Sequence, residues 1–194
     1  MKEIRHLVLL ASTLFYILPA FAQKDSSGIY KTAEDFQERK LSYAINCKIE
    51  KHKINPTVFF KGSEVKVKHS GTTYNLNKRD LFGYRTCSGK EYRFVADAEY
   101  GILNSGADLL VYFYQHPAHS PKTAGQYPPK YFFSRGPASA LKELTKLNLK
   151  TTYPDNHKFH DALDANFKED NDLHEYDTFH KMYKINWLLN GNDK

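Results

Sequence analysis

The chain has 194 residues, a formal net charge of +6 and 41% apolar residues, of which the 14 tyrosines and 13 phenylalanines are an unusually large part. That is enough for one domain with a core of its own, and it excludes both a disordered chain and a mini-protein that depends on staples. Basic residues prevail over positions 23–149 and acidic ones over 150–194, an asymmetry that suits an anionic partner or, more simply, packing of an acidic C-terminal segment on a basic body.

The first residues read as a secretory leader. Lys2 and Arg5 precede an apolar run from Leu7 to Phe21, and Ala20-Phe21-Ala22 supplies small residues at a cleavage site. The run is shorter than the roughly twenty residues that span a bilayer. The expectation is cleavage after Ala22 and a soluble mature chain 23–194 in the periplasm or outside the cell. Position 23 is Gln rather than Cys, which gives no lipid attachment site.

Beyond the leader, Thr32 followed by Asp35 predicts a capping box opening a short helix over Ala33–Arg39. Leu41, Tyr43, Ile45, Cys47 and Ile49 alternate with polar residues, predicting one half-buried strand over 41–49 with Cys47 facing the core. Val58-Phe59-Phe60 predicts a further short strand. Val65–His69 and Thr72–Leu76 flank Ser70-Gly71 as a hairpin, and Asn77–Asp80 is a polar connection. Phe82–Cys87 and Lys90–Val95 form a second hairpin about Ser88-Gly89. Residues 100–106 read as a loop or an irregular strand, 109–114 as a continuous apolar central strand, and 131–134 as one more strand. The stretch Gln115–Pro129 contains four prolines, which forbid a regular ladder. Its length makes it the expected rim of any binding site.

After Gly136-Pro137 the period becomes helical. Leu141, Leu144 and Leu147 predict a short helix, and Phe159, Leu163 and Phe167 share one face of another. Asp172 with Glu175 predicts a capping box for the last helix, with Leu173, Tyr176, Phe179, Tyr183 and Trp187 as its buried stripe, widened by Met182, Ile185 and Leu189, and Asn190-Gly191 as its stop. Strands first and helices last predict an α+β fold: an antiparallel β-meander, barrel-like or half-barrel-like, with C-terminal helices packed on it. One domain covers 23–194, mainly β over 23–134 and mainly helical over 135–194.

Cys47 and Cys87 are the only cysteines and allow a single intramolecular pairing. Export favours a bridge. Their different positions along their two strands favour separate thiols, since a bridge needs Cα atoms within roughly 7 Å. The expectation leans to a structural disulfide.

Enzyme signatures are missing from the sequence: it has no glycine-rich phosphate loop, G-x-S-x-G, H-E-x-x-H, C-x-x-C or EF-hand loop. The histidine pairs His116/His119 and His157/His160, and the series His174, Asp177, His180, have spacings that metal ligands use, but polar positions beside apolar stripes explain them and no metal or cofactor is expected. Caps and helix dipoles explain the acidic tract Asp161, Asp164, Glu169, Asp170, Asp172, Glu175 and Asp177. The basic and aromatic hairpin with Tyr84, Arg85, Lys90, Tyr92, Arg93 and Phe94 combines cation and ring chemistry. Ligand contacts are therefore expected from His116, His119, Tyr127, Arg85, Tyr92 and Arg93, with no catalytic residue assigned.

The phrases Gly28–Phe36, Phe82-Gly83-Tyr84-Arg85 and Tyr183-Lys184-Ile185-Asn186 resemble those of small exported bacterial proteins of unknown function, a likeness that implies export and brings no activity. The leading expectation is a non-enzymatic periplasmic or secreted binding module. One rival is a hydrolase with a dispersed His/Asp/Tyr site; another is an envelope-associated structural protein. An anionic glycan, a lipid headgroup or an envelope protein suits the charge as partner. Nucleic acid does not, because the chain leaves the cytoplasm.

Overall fold

The computed structural model describes residues 25–50, 54–55, 62–116 and 127–192. The leader and its cleavage site, the expected strand at 58–60 and the middle of the proline-rich stretch, with His119, lie outside the described residues.

The chain is an α+β fold built on an eight-stranded antiparallel sheet. Its strands are β1 (Ser26–Tyr30), β2 (Ser42–Asn46), β6 (Gly83–Arg85), β7 (Glu91–Val95), β8 (Ala98–Ile102), β9 (Leu109–Tyr114), β10 (Lys130–Arg135) and β11 (Lys142–Glu143), in the order β11-β10-β9-β8-β7-β6-β1-β2. Among the described residues the edge strands β2 and β11 do not pair with each other, so the sheet is open rather than a closed barrel. A second sheet holds β3 (Ile54–Asn55), β4 (Glu64–His69) and β5 (Thr72–Asn77). The helices are α1 (Ala33–Gln37), α2 (Lys146–Thr152), α3 (His157–Asn166) and α4 (Lys184–Asn192), and β12 (Tyr176–Asp177) with β13 (Met182–Tyr183) makes a small hairpin before α4.

Local chemistry accounts for most of these elements. Thr32 accepts from the Asp35 amide and Asp35 accepts from the Thr32 amide, closing the predicted capping box of α1. Ser70 and Gly71 both have positive φ, 48° and 80°, the geometry a two-residue hairpin loop requires between β4 and β5. Residues 98–102 form a regular strand rather than an irregular one, because Ala96 (φ 52°) and Asp97 turn β7 tightly into β8.

The strand predicted over 41–49 is shorter. Tyr43 sits at φ 51° where the β1–β2 register shifts, so the pleat is broken and the alternation beyond it no longer describes one face; Ile49 is 79% exposed. Cys47 lies beyond the end of β2 and Cys87 beyond the end of β6, with only β1 between them, and the two form a disulfide with Cα atoms 5.6 Å apart.

Two further expectations are corrected in the C-terminal third. Leu141 and Leu144 are outside any helix; the helix begins later, capped by Thr145, and Leu147 on it is exposed. Asp172 belongs to a capping box with Glu169 around a short 3-10 turn, not to the start of the last helix. The chain then makes the β12–β13 hairpin, so the helical spacing read across it has no meaning: Phe179 is 86% and Trp187 38% exposed, while Ile185, Leu188 and Leu189 carry the buried face of α4.

Among the described residues three apolar clusters form the core. Directly paired residues on antiparallel strands share a face, so Ile29, Tyr84, Tyr92, Gly101 and Phe113 run across one face of the main sheet. At the β9–β10 end of that face, Leu109, Val111 and Phe133 pack against Leu149, Phe159, Leu163, Phe167 and Ile185 of the helical layer. At the β1–β6 end, Ile29, Tyr84 and Phe94 pack against Val65 and Val67 of the small sheet. The other face buries Tyr30, Leu110 and Tyr112 with Phe36 of α1. Asn186 of α4 fastens the helical layer to β9: its Nδ2 donates to the Leu109 carbonyl at 2.8 Å and its Oδ1 accepts from Asn104, whose own Oδ1 accepts the Val111 amide at 2.6 Å.

Candidate functional site: a groove over strands β7 to β9

Among the described residues neither cover reaches the middle of the first face. There, over β7, β8 and β9, a groove of about 430 Å³ is lined by Lys78, Tyr92, Val95, Ala96, Asp97, Ala98, Glu99, Gly101, Phe113, Tyr114 and Gln115. The floor has a simple origin. Gly101 stands opposite Phe113, and a Cβ on Gly101 would lie 2.0 Å from the Phe113 ring, so the missing side chain lets that ring lie flat on β8. Tyr92 is stacked on Tyr84, with ring centroids 4.9 Å apart, and forms the adjoining wall.

The ionisable pair set deepest in the groove lining is Glu99 and Lys78. Glu99 points to the same face as Gly101. Its Oε1 accepts the Tyr84 hydroxyl at 2.9 Å, and its Oε2 is buried without a hydrogen-bond partner among the described residues. Burial raises its pKa above the usual carboxylate range, against the pull of the Tyr84 hydroxyl and the Lys78 charge. Burial beside Glu99 likewise pushes Tyr84 up and keeps its phenol protonated as the donor.

Lys78, in the short 3-10 turn after β5, is only 2% exposed. Its ammonium donates to the Asp97 carbonyl at 3.3 Å and stands 5.6 Å from the Phe94 ring centroid. Burial lowers its pKa, while Glu99 and Asp97 act in the opposite sense. The Asp97 carboxylate is held by the Arg79 guanidinium through two bonds, at 3.2 and 3.0 Å.

The residues expected from sequence to contact a ligand fall in separate places. Tyr92 lines the groove. Arg85 and Arg93, one residue out of phase with it, project from the opposite face. Arg85 bonds Glu91 at 3.2 Å, and Arg93 bonds the Tyr112 hydroxyl and the Ser139 carbonyl and lies over the Phe82 and Tyr112 rings. Both are tied into the fold. His116 and Tyr127, with ring centroids 5.7 Å apart, meet at a separate hollow with Lys130, Glu143 and Asp170. Glu99 escapes the sequence reading because the stretch that reads as a loop or an irregular strand begins only at residue 100, and Lys78 because Asn77–Asp80 reads as a polar connection, although Lys78 is buried in a 3-10 turn. The signal was there in Glu99 and Gly101 alternating with Tyr100 and Ile102.

A larger cavity of about 580 Å³ is lined by Phe36, Arg39, Asp108, Arg135 and Tyr153. Its cations are engaged: Arg39 makes bonds of 2.6 and 2.7 Å to Glu91, and Arg135 lies over the Tyr153 ring. The histidines and acids of the C-terminal third also have local partners. His174 stacks on Tyr131, His180 bonds Asp177 at 2.6 Å and stacks on Trp187, Asp164 pairs with Lys150, and Glu175 pairs with Lys184. Among the described residues no group of three potential ligands is arranged to hold a metal ion, and no helix is long and apolar enough to cross a membrane.

A scan against protein families and searches of curated proteins and of solved structures found no match to this chain.

Proposed function

We propose that this chain is an exported, non-enzymatic binding module that takes a small, mainly apolar ligand in the groove over β7 to β9. The observation that carries the reading is a groove of about 430 Å³, within the roughly 300–1,000 Å³ range of small-molecule sites, with aromatic walls and a buried carboxyl at its side. The leader-like N-terminus and the Cys47–Cys87 disulfide support export to the periplasm or the cell exterior.

Titration with N-phenyl-1-naphthylamine, a neutral apolar fluorophore, tests it. The expected result is saturable binding of one probe per chain, weakened about tenfold or more by Tyr92→Ala, which removes the aromatic wall of the groove. Weak, unsaturable binding that Tyr92→Ala leaves unchanged would contradict the reading.

A further inference from the structure

We infer that the groove selects ligands carrying an ammonium group on an apolar body, with Oε2 of Glu99 as the acceptor of the ammonium's hydrogen bond. The inference rests on the groove being the binding site and adds the chemistry of the ligand's polar end.

Oε2 is the unpartnered oxygen of a residue that lines the groove. Oε1 already takes the Tyr84 hydroxyl, while Oε2 is buried with no hydrogen-bond partner among the described residues. A buried acceptor left in that state is unfavourable, so a ligand that brings a donor gains more than its apolar contacts. Three head chemistries are then distinguishable. A purely apolar end leaves Oε2 as it is. A carboxylate brings a second negative charge beside Glu99 and has only Lys78 to meet it, an ammonium already turned to the Asp97 carbonyl and the Phe94 ring. An ammonium forms a charge-assisted bond to the ionised Glu99 carboxylate and finds the rings of Tyr92 and Phe113 beside it, whose faces attract cations. Lys78 opposes a second cation, but it is already engaged, and the neighbouring Asp97 carboxylate is balanced by Arg79.

The test is displacement of bound N-phenyl-1-naphthylamine by three ten-carbon chains that differ only in the head: decylamine, decanol and decanoate. The folded full chain is expected to release the probe to decylamine at about tenfold lower concentration than to decanol, with decanoate weakest. In Glu99→Gln the decylamine advantage should disappear. Because that variant disturbs the Tyr84 bond, a second readout uses the unaltered protein: the carboxyl carbon resonance of Glu99 should move with decylamine and stay with decanol. Equal displacement by all three chains, with probe binding intact, would overturn the ammonium preference and leave the groove reading standing. Preference for decanoate that is lost in Lys78→Met would also overturn it. Failure of the probe to bind at all would overturn both.

Discussion

At the scale of single residues, the buried Glu91 and the half-buried Glu99, on opposite faces of the sheet, respond to pH in opposite ways. Glu91 accepts hydrogen bonds from Tyr30 at 2.6 Å, from Arg39 and from Arg85. Burial alone would raise its pKa, but the bonds from Arg39, Ser105 and Tyr30 bring it below the usual value. The folded state therefore releases this proton more readily than the unfolded chain. Its contribution is present above about pH 4.3, the ordinary glutamate value, and is lost as pH falls through the depressed folded value. Tyr30 answers the same contacts: burial and the Glu91 carboxylate push its pKa up to about 12. Glu91→Gln should cost about 3 kcal/mol at neutral pH, because it leaves two arginines without their anion, and should flatten the acid limb of urea midpoints measured from about pH 3 to 8. Glu99 has the opposite sign. Its raised pKa means that the folded state holds a proton the unfolded chain has lost, so stability falls as pH rises from the ordinary glutamate value through the folded one. Glu99→Gln should remove that fall, and an unchanged pH profile would contradict the buried placement of the carboxyl.

At the scale of elements, the patterns that survived are those confined to one uninterrupted element. Phe159, Leu163 and Phe167 lie at helical spacing along α3 and its C-cap, and all three are buried. The capping box of α1 and the Ser70-Gly71 hairpin were likewise readable because three or four residues determine them. The stripe from Leu173 to Trp187 failed because a hairpin interrupts it, and two short strands of two residues leave almost no periodic signal. Phe159→Ala should therefore cost about 3–5 kcal/mol, while Phe179→Ala should stay within about 0.5 kcal/mol; denaturant midpoints of the two variants check the pair together. The groove has its own element-scale test. Gly101→Ala must move the Phe113 ring, the flexible far end of a side chain, so it should alter N-phenyl-1-naphthylamine affinity severalfold while thermal stability falls by only about 1–2 kcal/mol. An unaltered affinity would show that Phe113 is not part of the binding floor.

At the scale of the whole molecule, the site is set by where two covers stop. The helical layer and the small sheet bury the two ends of one sheet face, and among the described residues the groove lies between them. Neither boundary is legible in the sequence, since both depend on strand order: Gly101 and Tyr92 become neighbours only through the β7–β8 register. The residues of the expected hairpin cluster divide for a related reason, as the pleat sends Tyr92 to one face and Arg85 and Arg93 to the other. The disulfide ties this arrangement together. It closes a loop of sequence separation 40 that contains the entire small sheet, and the chain-entropy argument assigns it roughly 4 kcal/mol. Reduction should lower the urea midpoint accordingly, and an unchanged midpoint would mean that the unfolded loop is already constrained. The most direct test of the groove is amide chemical-shift mapping of the isotope-labelled protein titrated with N-phenyl-1-naphthylamine. The predicted result is a set of saturating shifts centred on Tyr92, Ala98, Glu99, Gly101 and Phe113; shifts centred instead on the Arg39 and Arg135 cavity, or scattered with no saturation, would contradict it.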